Sequence, residues 1–278
     1  MIDAQTEIYG IIGNPVRHSL SPIIHNAAFR RMGLNATYLA FEVGNLEEAI
    51  SGIRGLGIRG VSVTLPFKTQ VISFLDEVEG VAKKIKAVNT IANKEGKLIG
   101  YNTDWRGALE ALEKKVDLKG KKVVLLGAGG AARAIGFGLK VRGCEVIISN
   151  RTRDKGVDLA NELMCSYQPP SSFIEMEAEG LLADVIINAT SVGMSPYETE
   201  NPLPKKILKE GITVMDIVYR PLRTKLLQEA EEQGCLTIDG LEMLAHQGAA
   251  QLEIWTGKRP EIGEIKENLR QALESEIS

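Results

Sequence analysis

The sequence is short of cysteine. Cys144, Cys165 and Cys235 are the only three in 278 residues, and no C-x-x-C spacing occurs. An odd count without ligand spacing excludes a disulfide framework and gives no zinc site; three reduced thiols are expected. Long apolar runs are missing too. No stretch approaches the roughly 18–20 apolar residues of a membrane span. The opening MIDAQTEIYGIIGNP has neither the basic start nor the apolar stretch of a signal peptide. The expected location is the cytoplasm. Charge of one sign is also absent: 33 basic residues stand against 36 acidic ones, a net charge of -3. That excludes a broad basic face for nucleic acid, though not a small cationic pocket. Histidine is scarce. His18, His25 and His246 show no H-x-x-x-H pairing, so they are read as packing and capping residues, and no metal is expected.

Glycine is the one excess, 28 residues, or roughly one in ten against about 7% ordinarily. The length suggests two domains at about 150 residues each. Strand-like and helix-like segments alternate, which predicts an α/β fold with mainly parallel sheets. Strands are expected at Ile8–Ile12, Tyr38–Val43 and Gly60–Leu65, and a hairpin at Ala87–Asn93 with Leu98–Tyr101. Helices are expected at Pro22–Met32 (Ser21 as N-cap), Leu46–Leu56 and Lys68–Leu75. A second unit begins near residue 105. Its strands are expected at Lys122–Leu126, Glu145–Ser149, Ala183–Ala189, Thr213–Ile217 and Leu236–Ile238. Its helices are expected at Asp104–Lys115, Arg133–Arg142 and Asp154–Met164, before closing helices at Leu241–Trp255 and Gly263–Glu276.

The strand Lys122–Leu126 runs into Gly127-Ala128-Gly129-Gly130-Ala131-Ala132 and then a helix. This G-x-G-x-x-A turn is a dinucleotide-binding signature. Gly127 permits the tight turn, Gly129 lets the backbone approach a pyrophosphate, and Ala132 keeps the helix close to the sheet. The helix start offers unpaired N–H groups to the phosphate. Beyond the next strand lies Asn150-Arg151-Thr152-Arg153-Asp154-Lys155. NAD binders place a carboxylate there for the ribose 2′-hydroxyl. Here Arg151, Thr152 and Lys155 can instead converge on a 2′-phosphate, with Arg153 adding to the cation cluster. The expected cofactor is NADP; the alternative is a solvated strand end. Asp154 is expected to face away as an N-cap.

The first unit carries polar motifs at its strand ends. Ser19 and Ser21 place two hydroxyls beside a helix start, which suits a carboxylate; Ser21 could equally only cap the helix. Lys68 follows a strand and a proline turn. With Asp104 at the end of Asn102-Thr103-Asp104, it forms a candidate acid–base pair. Asn89 is a further amide at a strand end.

Taken together, these blocks resemble the shikimate dehydrogenase family. Gly13–Val16, His18–Pro22 and His25-Asn26 look like its opening signature. Val63–Lys68, Ala87–Thr90 and Tyr101–Asp104 look like its active-site blocks. Gly127–Arg133, Asn150–Thr152, Asn188–Gly193, Tyr219–Leu227 and Gln247–Gly257 follow in the family's order. The resemblance implies two domains: a substrate-binding α/β domain over 1–104 plus 240–278, and a Rossmann-type doubly wound NADP domain over 105–239. It implies Lys68 and Asp104 as catalytic residues. Ser19, Ser21, Thr64, Asn89, Asn102, Tyr219 and Gln247 would bind substrate. Gly127, Ala128, Gly129, Gly130, Ala131, Asn150, Arg151, Thr152, Arg153, Lys155, Ile217 and Gly240 would bind cofactor. Met243 is placed near the nicotinamide, with core packing as its alternative. The implied reaction is NADPH-dependent reduction of 3-dehydroshikimate to shikimate, with a small-molecule substrate and neither nucleic acid nor membrane as partner. A homodimer stays open. Rivals are a broader quinate/shikimate dehydrogenase, a methylene-pterin dehydrogenase and an NADP-sensing module. The chain departs from the family at Lys86, usually Gly, at Leu252, often Phe, and at Lys155, often Arg.

Overall fold

The computed structural model describes residues 2–173 and 183–277. In chain order the elements are β1 (Glu7–Gly13), α1 (Ser21–Arg31), β2 (Ala36–Glu42), α2 (Leu46–Gly55), β3 (Gly60–Val63), β4 (Glu77–Val78), α3 (Gly80–Ile85), β5 (Thr90–Lys94), β6 (Lys97–Tyr101), α4 (Asp104–Glu113), β7 (Lys122–Leu126), α5 (Gly130–Val141), β8 (Glu145–Ser149), α6 (Arg153–Leu163), β9 (Ser166–Tyr167), β10 (Val185–Asn188), β11 (Thr213–Asp216), α7 (Lys225–Glu232), β12 (Leu236–Ile238), α8 (Gly240–Thr256) and α9 (Ile262–Ile277). They form two compact units. One holds residues up to Asp104 and those from Ala245 onward; the other is Trp105–Leu244. The return crossing thus falls five residues past the expected one, because Met243 is buried in the second unit's core.

The first unit's sheet has the order β2-β1-β3-β5-β6-β4. β1 runs parallel to β2 and β3, while β5 is antiparallel to both β3 and β6. Both faces are covered, so β3 reads GVSV and is buried throughout. On one face Ile12, Val63 and Ile91 pack with Ile50 and Ile53 of α2; on the other, Tyr9 and Ile11 pack with Phe29, Tyr38 and Leu252. Each fully buried aliphatic side chain contributes about 1.5–3 kcal/mol. Asn45 caps α2 by accepting from Glu47 N at 3.1 Å.

Three local readings are corrected. Ser21 does not cap α1: it is the first helical residue, and its backbone N–H donates to Ser19 Oγ at 3.2 Å. Asp154 likewise lies inside the first turn of α6, behind Thr152. Lys68–Leu75 is no α-helix; only Gln70–Phe74 winds, as a tighter 3-10 turn. Pro66 and Phe67 feed this segment with its first turn already closed, Phe67 N donating to Thr64 O at 2.9 Å. Lys86 ends α3 in the left-handed region, at φ 58°. That conformation favours glycine, the residue that the family resemblance leads one to expect at this position.

The second unit's sheet has the order β12-β11-β10-β7-β8-β9, parallel throughout. Counted from β7, this is the doubly wound dinucleotide-binding order, with its switch point between β7 and β10. Gly127 sits at that point with φ 113°, and a Cβ there would lie 3.0 Å from Ala189 O. Only glycine fits both constraints.

Candidate active site and cofactor cradle

Sheet direction gathers the first unit's polar residues at one edge. β1 and β3 end there, leading to Ser19–Ser21 and Thr64. β5, antiparallel, begins there after Asn89, and β6 ends there before Asn102–Asp104. Lys68 Nζ donates to Asp104 Oδ2 at 2.7 Å. The aspartate side chain is 4% exposed and that of the lysine 19%, so a deep carboxylate holds an ammonium that still reaches the surface. Asn89 Nδ2 donates to Asp104 Oδ1 at 2.8 Å and to Thr103 Oγ1 at 2.9 Å, with Gln247 Oε1 3.4 Å away. Both oxygens of Asp104 are thereby occupied by donors, which fixes the carboxylate plane.

Asn102 is committed to the backbone. Its Oδ1 accepts from Asp104 N at 3.0 Å and its Nδ2 donates to Ala87 O at 2.9 Å. Its visible work is to shape the turn that presents Asp104. Ser19 and Thr64 are half-buried, and Ser21 is buried. Thus Ser19, Ser21, Thr64, Lys68, Asn89, Asn102, Asp104 and Gln247 all belong to one unit, and Tyr219 belongs to the other, half-buried on the loop after β11.

In the second unit the expected cofactor residues line the C-terminal edge of the parallel sheet. Gly127–Ala131 follow β7, Asn150–Lys155 follow β8, Ile217 follows β11 and Gly240 opens α8. Gly129 is the N-cap of α5 and offers no side-chain cap, so the first-turn N–H groups face outward for a phosphate. Arg151, Thr152, Arg153 and Lys155 are exposed. Asn150 Nδ2 is taken by Thr152 O at 2.8 Å, which holds that loop folded. Ile217 and Gly240 meet closely: a Cβ on Gly240 would lie 2.7 Å from Ile217 O and 2.5 Å from Val218 O. Met243 is buried in the core against which Ile217 packs. A glycine cradle, an uncapped helix start and a cation cluster together fit a dinucleotide carrying an extra phosphate.

One buried acid there had no signal in the sequence. Asp216 ends β11. Its Oδ1 accepts from Asn188 Nδ2 and from Val218 N, each at 3.0 Å, and its Oδ2 accepts from Thr224 Oγ1 at 2.7 Å. It therefore ties the ends of β10 and β11 to the start of α7. Burial pushes its carboxyl up to about 6, against the pull of those donors. Between about pH 4 and 6 the folded chain holds a proton that the unfolded chain has released. Stability must then fall as pH rises through that window and level off above it, by about 3 kcal/mol in all from this group. Asp216→Asn keeps the shape, with Thr224 turning to accept. Urea unfolding at a series of pH values should show the slope of stability against pH across pH 4–6 made more positive by about one proton in the variant; an unchanged slope would reject the assignment.

All three cysteines are free thiols, and burial pushes Cys144 up to about 11. No described helix is long and apolar enough to cross a membrane.

A parallel sheet of Rossmann order with a cationic strand end, in a chain that also carries a lysine–aspartate pair on a second α/β unit, defines the class: a nicotinamide-dependent oxidoreductase. Family comparison makes this specific. The shikimate dehydrogenase substrate binding domain matches residues 11–91, shikimate / quinate 5-dehydrogenase matches 110–243, and the shikimate 5′-dehydrogenase C-terminal domain matches 240–270. The NADP(+) shikimate dehydrogenase of Thermococcus kodakarensis is 47% identical over 268 residues, 95% of this chain and 96% of the relative. That of Moorella thermoacetica is 43% identical over 281 residues, 98% of this chain and 95% of the relative. A shikimate dehydrogenase solved in complex with NADP+ superposes with TM-score 0.92 at 42% identity, over 98% of each chain. The Thermus thermophilus enzyme, solved with NADP(H) and shikimate, gives 0.88 at 39% identity, over 96% of this chain and all of that one. A quinate dehydrogenase from Corynebacterium glutamicum in complex with NAD gives 0.86 at 27% identity, over 96% of this chain and 99% of that one. The chain belongs to the shikimate dehydrogenase family.

Proposed function

We propose that the chain catalyses the reversible reduction of 3-dehydroshikimate to shikimate with NADPH, in a reducing, cytoplasmic compartment. The observation that carries the reading is the Lys68 ammonium held 2.7 Å from the buried Asp104, itself oriented by Asn89. When bound, the cofactor supplies the hydride to the ring carbonyl carbon. Lys68 stabilises the charge that develops on the carbonyl oxygen and delivers a proton to it; in the reverse direction its neutral amine takes that proton. Asp104 holds Lys68 in place and accepts from a substrate hydroxyl. Ser19 and Ser21 take the substrate carboxylate, and the family resemblance assigns Tyr219 of the second unit to substrate. Thr64 and Gln247 take its hydroxyls, while Asn89 and Asn102, whose amides are spent on Asp104 and the turn before it, hold the aspartate in place. On the second unit, Gly127–Ala131 cradle the pyrophosphate, Arg151, Thr152, Arg153 and Lys155 take the 2′-phosphate, and Ile217, Gly240 and Met243 border the nicotinamide.

Nicotinamide absorbance with 3-dehydroshikimate tests the reading. Rapid NADPH consumption is expected, with NADH much slower. Equal rates with NADH, or oxidation of quinate as fast as shikimate, would favour the broader dehydrogenase. No consumption at all would leave an NADP-sensing module.

A further inference from the structure

Beneath the Lys68–Asp104 pair lies a buried polar chain that the reaction as described does not use. Gln251 of α8 is its hub and is 1% exposed. Gln251 Oε1 accepts from Ser62 Oγ at 2.9 Å and meets His25 Nε2 at 3.2 Å. Gln251 Nε2 donates to Asn89 O at 3.1 Å and to Thr90 Oγ1 at 3.0 Å. Thr90 Oγ1 in turn donates to Asn89 Oδ1 at 2.8 Å. At the deep end Tyr38 OH donates to Ser62 Oγ at 2.6 Å.

Donor counting leaves this chain one direction. An amide nitrogen only donates and an amide oxygen only accepts. His25 faces an amide oxygen through Nε2, so Nε2 carries the ring proton. Burial holds the ring neutral, its pKa pushed down to about 3, and Tyr38 stacks on it at 4.3 Å between centroids. Ser62 spends its proton on Gln251 because it already accepts from Tyr38. With Oε1 held by two donors, Gln251 must present Nε2 to Asn89 and Thr90. Thr90 then accepts from Gln251 and spends its own proton on Asn89 Oδ1. Asn89 Oδ1 also accepts from Thr103 N at 2.8 Å. The Asn89 amide can therefore point only its Nδ2 at Asp104.

We propose that His25, Ser62, Gln251 and Thr90 form a positioning relay that sets the orientation of the Asn89 amide and, through it, the carboxylate of Asp104. This rests on Lys68 and Asp104 being the catalytic pair. None of the four touches the reacting atoms; each acts through the next. The polarity matters because an inverted Asn89 would place a carbonyl oxygen against a carboxylate. That would push Asp104 off the position from which it holds Lys68. Displacements of about 1 Å in such a site cost roughly a hundredfold in rate.

Gln251→Glu tests the relay in the full-length chain. It is nearly isosteric, but it replaces an amide that donates to both Asn89 O and Thr90 Oγ1 with a carboxyl that can donate to at most one of them. The expected loss in kcat/KM is about ten- to a hundredfold. In an Asp104→Asn background the same change should cost less than about threefold, because groups that act as a unit are not additive. Equal factors in both backgrounds, or a loss under about threefold in the otherwise native chain, would overturn the relay. Should Gln251→Glu fail to fold, Thr90→Val removes the link at nearly constant volume, and the same two backgrounds apply. NADPH binding, measured by fluorescence, monitors the integrity of the second unit. Lys68→Met, measured in parallel, separates the two ideas: if it loses less than about tenfold, the catalytic pair itself is wrong.

Discussion

Lys68→Met is expected to lower turnover by at least about a hundredfold, while NADPH affinity changes little. The magnitude follows from the role. A positioned acid–base group contributes about 10²–10⁴ in rate, and in the proposed reaction Lys68 also supplies positive charge to the developing alkoxide. The selectivity follows from placement. Lys68 and Asp104 lie in the first unit and the phosphate-binding turn lies in the second, so losing the ammonium leaves Gly127–Ala131 and Arg151–Lys155 untouched. Methionine keeps the apolar stem and deletes the ammonium. Lys68→Arg refines the test. Arginine keeps the charge, yet its pKa above 12 prevents it from giving up a proton or acting as base. A low rate in both variants means that proton transfer is required. A near-normal rate in Lys68→Arg would reduce Lys68 to an electrostatic role, and a near-normal rate in Lys68→Met would remove it from the reaction.

How much of this was legible in the sequence depended on the distance over which each feature is determined. The Rossmann turn could be read because strand, glycines and helix are contiguous from Lys122 to Val141, and each glycine has a local reason. Lys68 and Asp104 could be nominated because each ends an element facing the same sheet edge. Their contact, across 36 positions, follows from the antiparallel hairpin β5–β6. Gln251 could not be read. Its four partners lie 161, 162, 189 and 226 positions away, and a glutamine inside a helix has no periodicity or motif that separates a buried hub from a solvated surface. His25 was read as packing and capping, with no sign of its contact to Gln251. Asp216 was hidden for another reason: an acid closing a buried strand reads as solvent-facing until Asn188 and Thr224 are seen to close over it. The helix expected at Lys68–Leu75 failed because apolar spacing alone does not separate one 3-10 turn from the start of an α-helix. The short elements β4, α3, β9 and α7 escaped notice for want of length.

The second large effect concerns cofactor choice. Replacing Arg151 and Lys155 together by alanine should raise the KM for NADPH by about a hundredfold and leave that for NADH nearly unchanged. Arg151 and Lys155 are exposed at the end of β8 and the start of α6. No described residue is ion-paired with either charge. A 2′-phosphate placed there gains charge-assisted hydrogen bonds, worth about 1.5–3 kcal/mol each before screening. Two bonds at the low end give about 3 kcal/mol, hence the hundredfold. NADH carries a hydroxyl at that position and loses only long-range attraction, which salt screens over about 8 Å. Arg153 remains in the double variant, so some preference for NADPH should persist. Lys155 alone should matter less than Arg151, since an ammonium cannot make the two-pronged contact that a guanidinium can; Lys155→Arg is accordingly expected to tighten NADPH binding. The decisive measurement is the ratio of kcat/KM for the two cofactors at fixed ionic strength. If that ratio stays constant while both values fall, the cations serve the fold and not the phosphate. If it collapses towards one, Arg151 and Lys155 carry the discrimination, because no carboxylate ends β8 to favour NADH in their place.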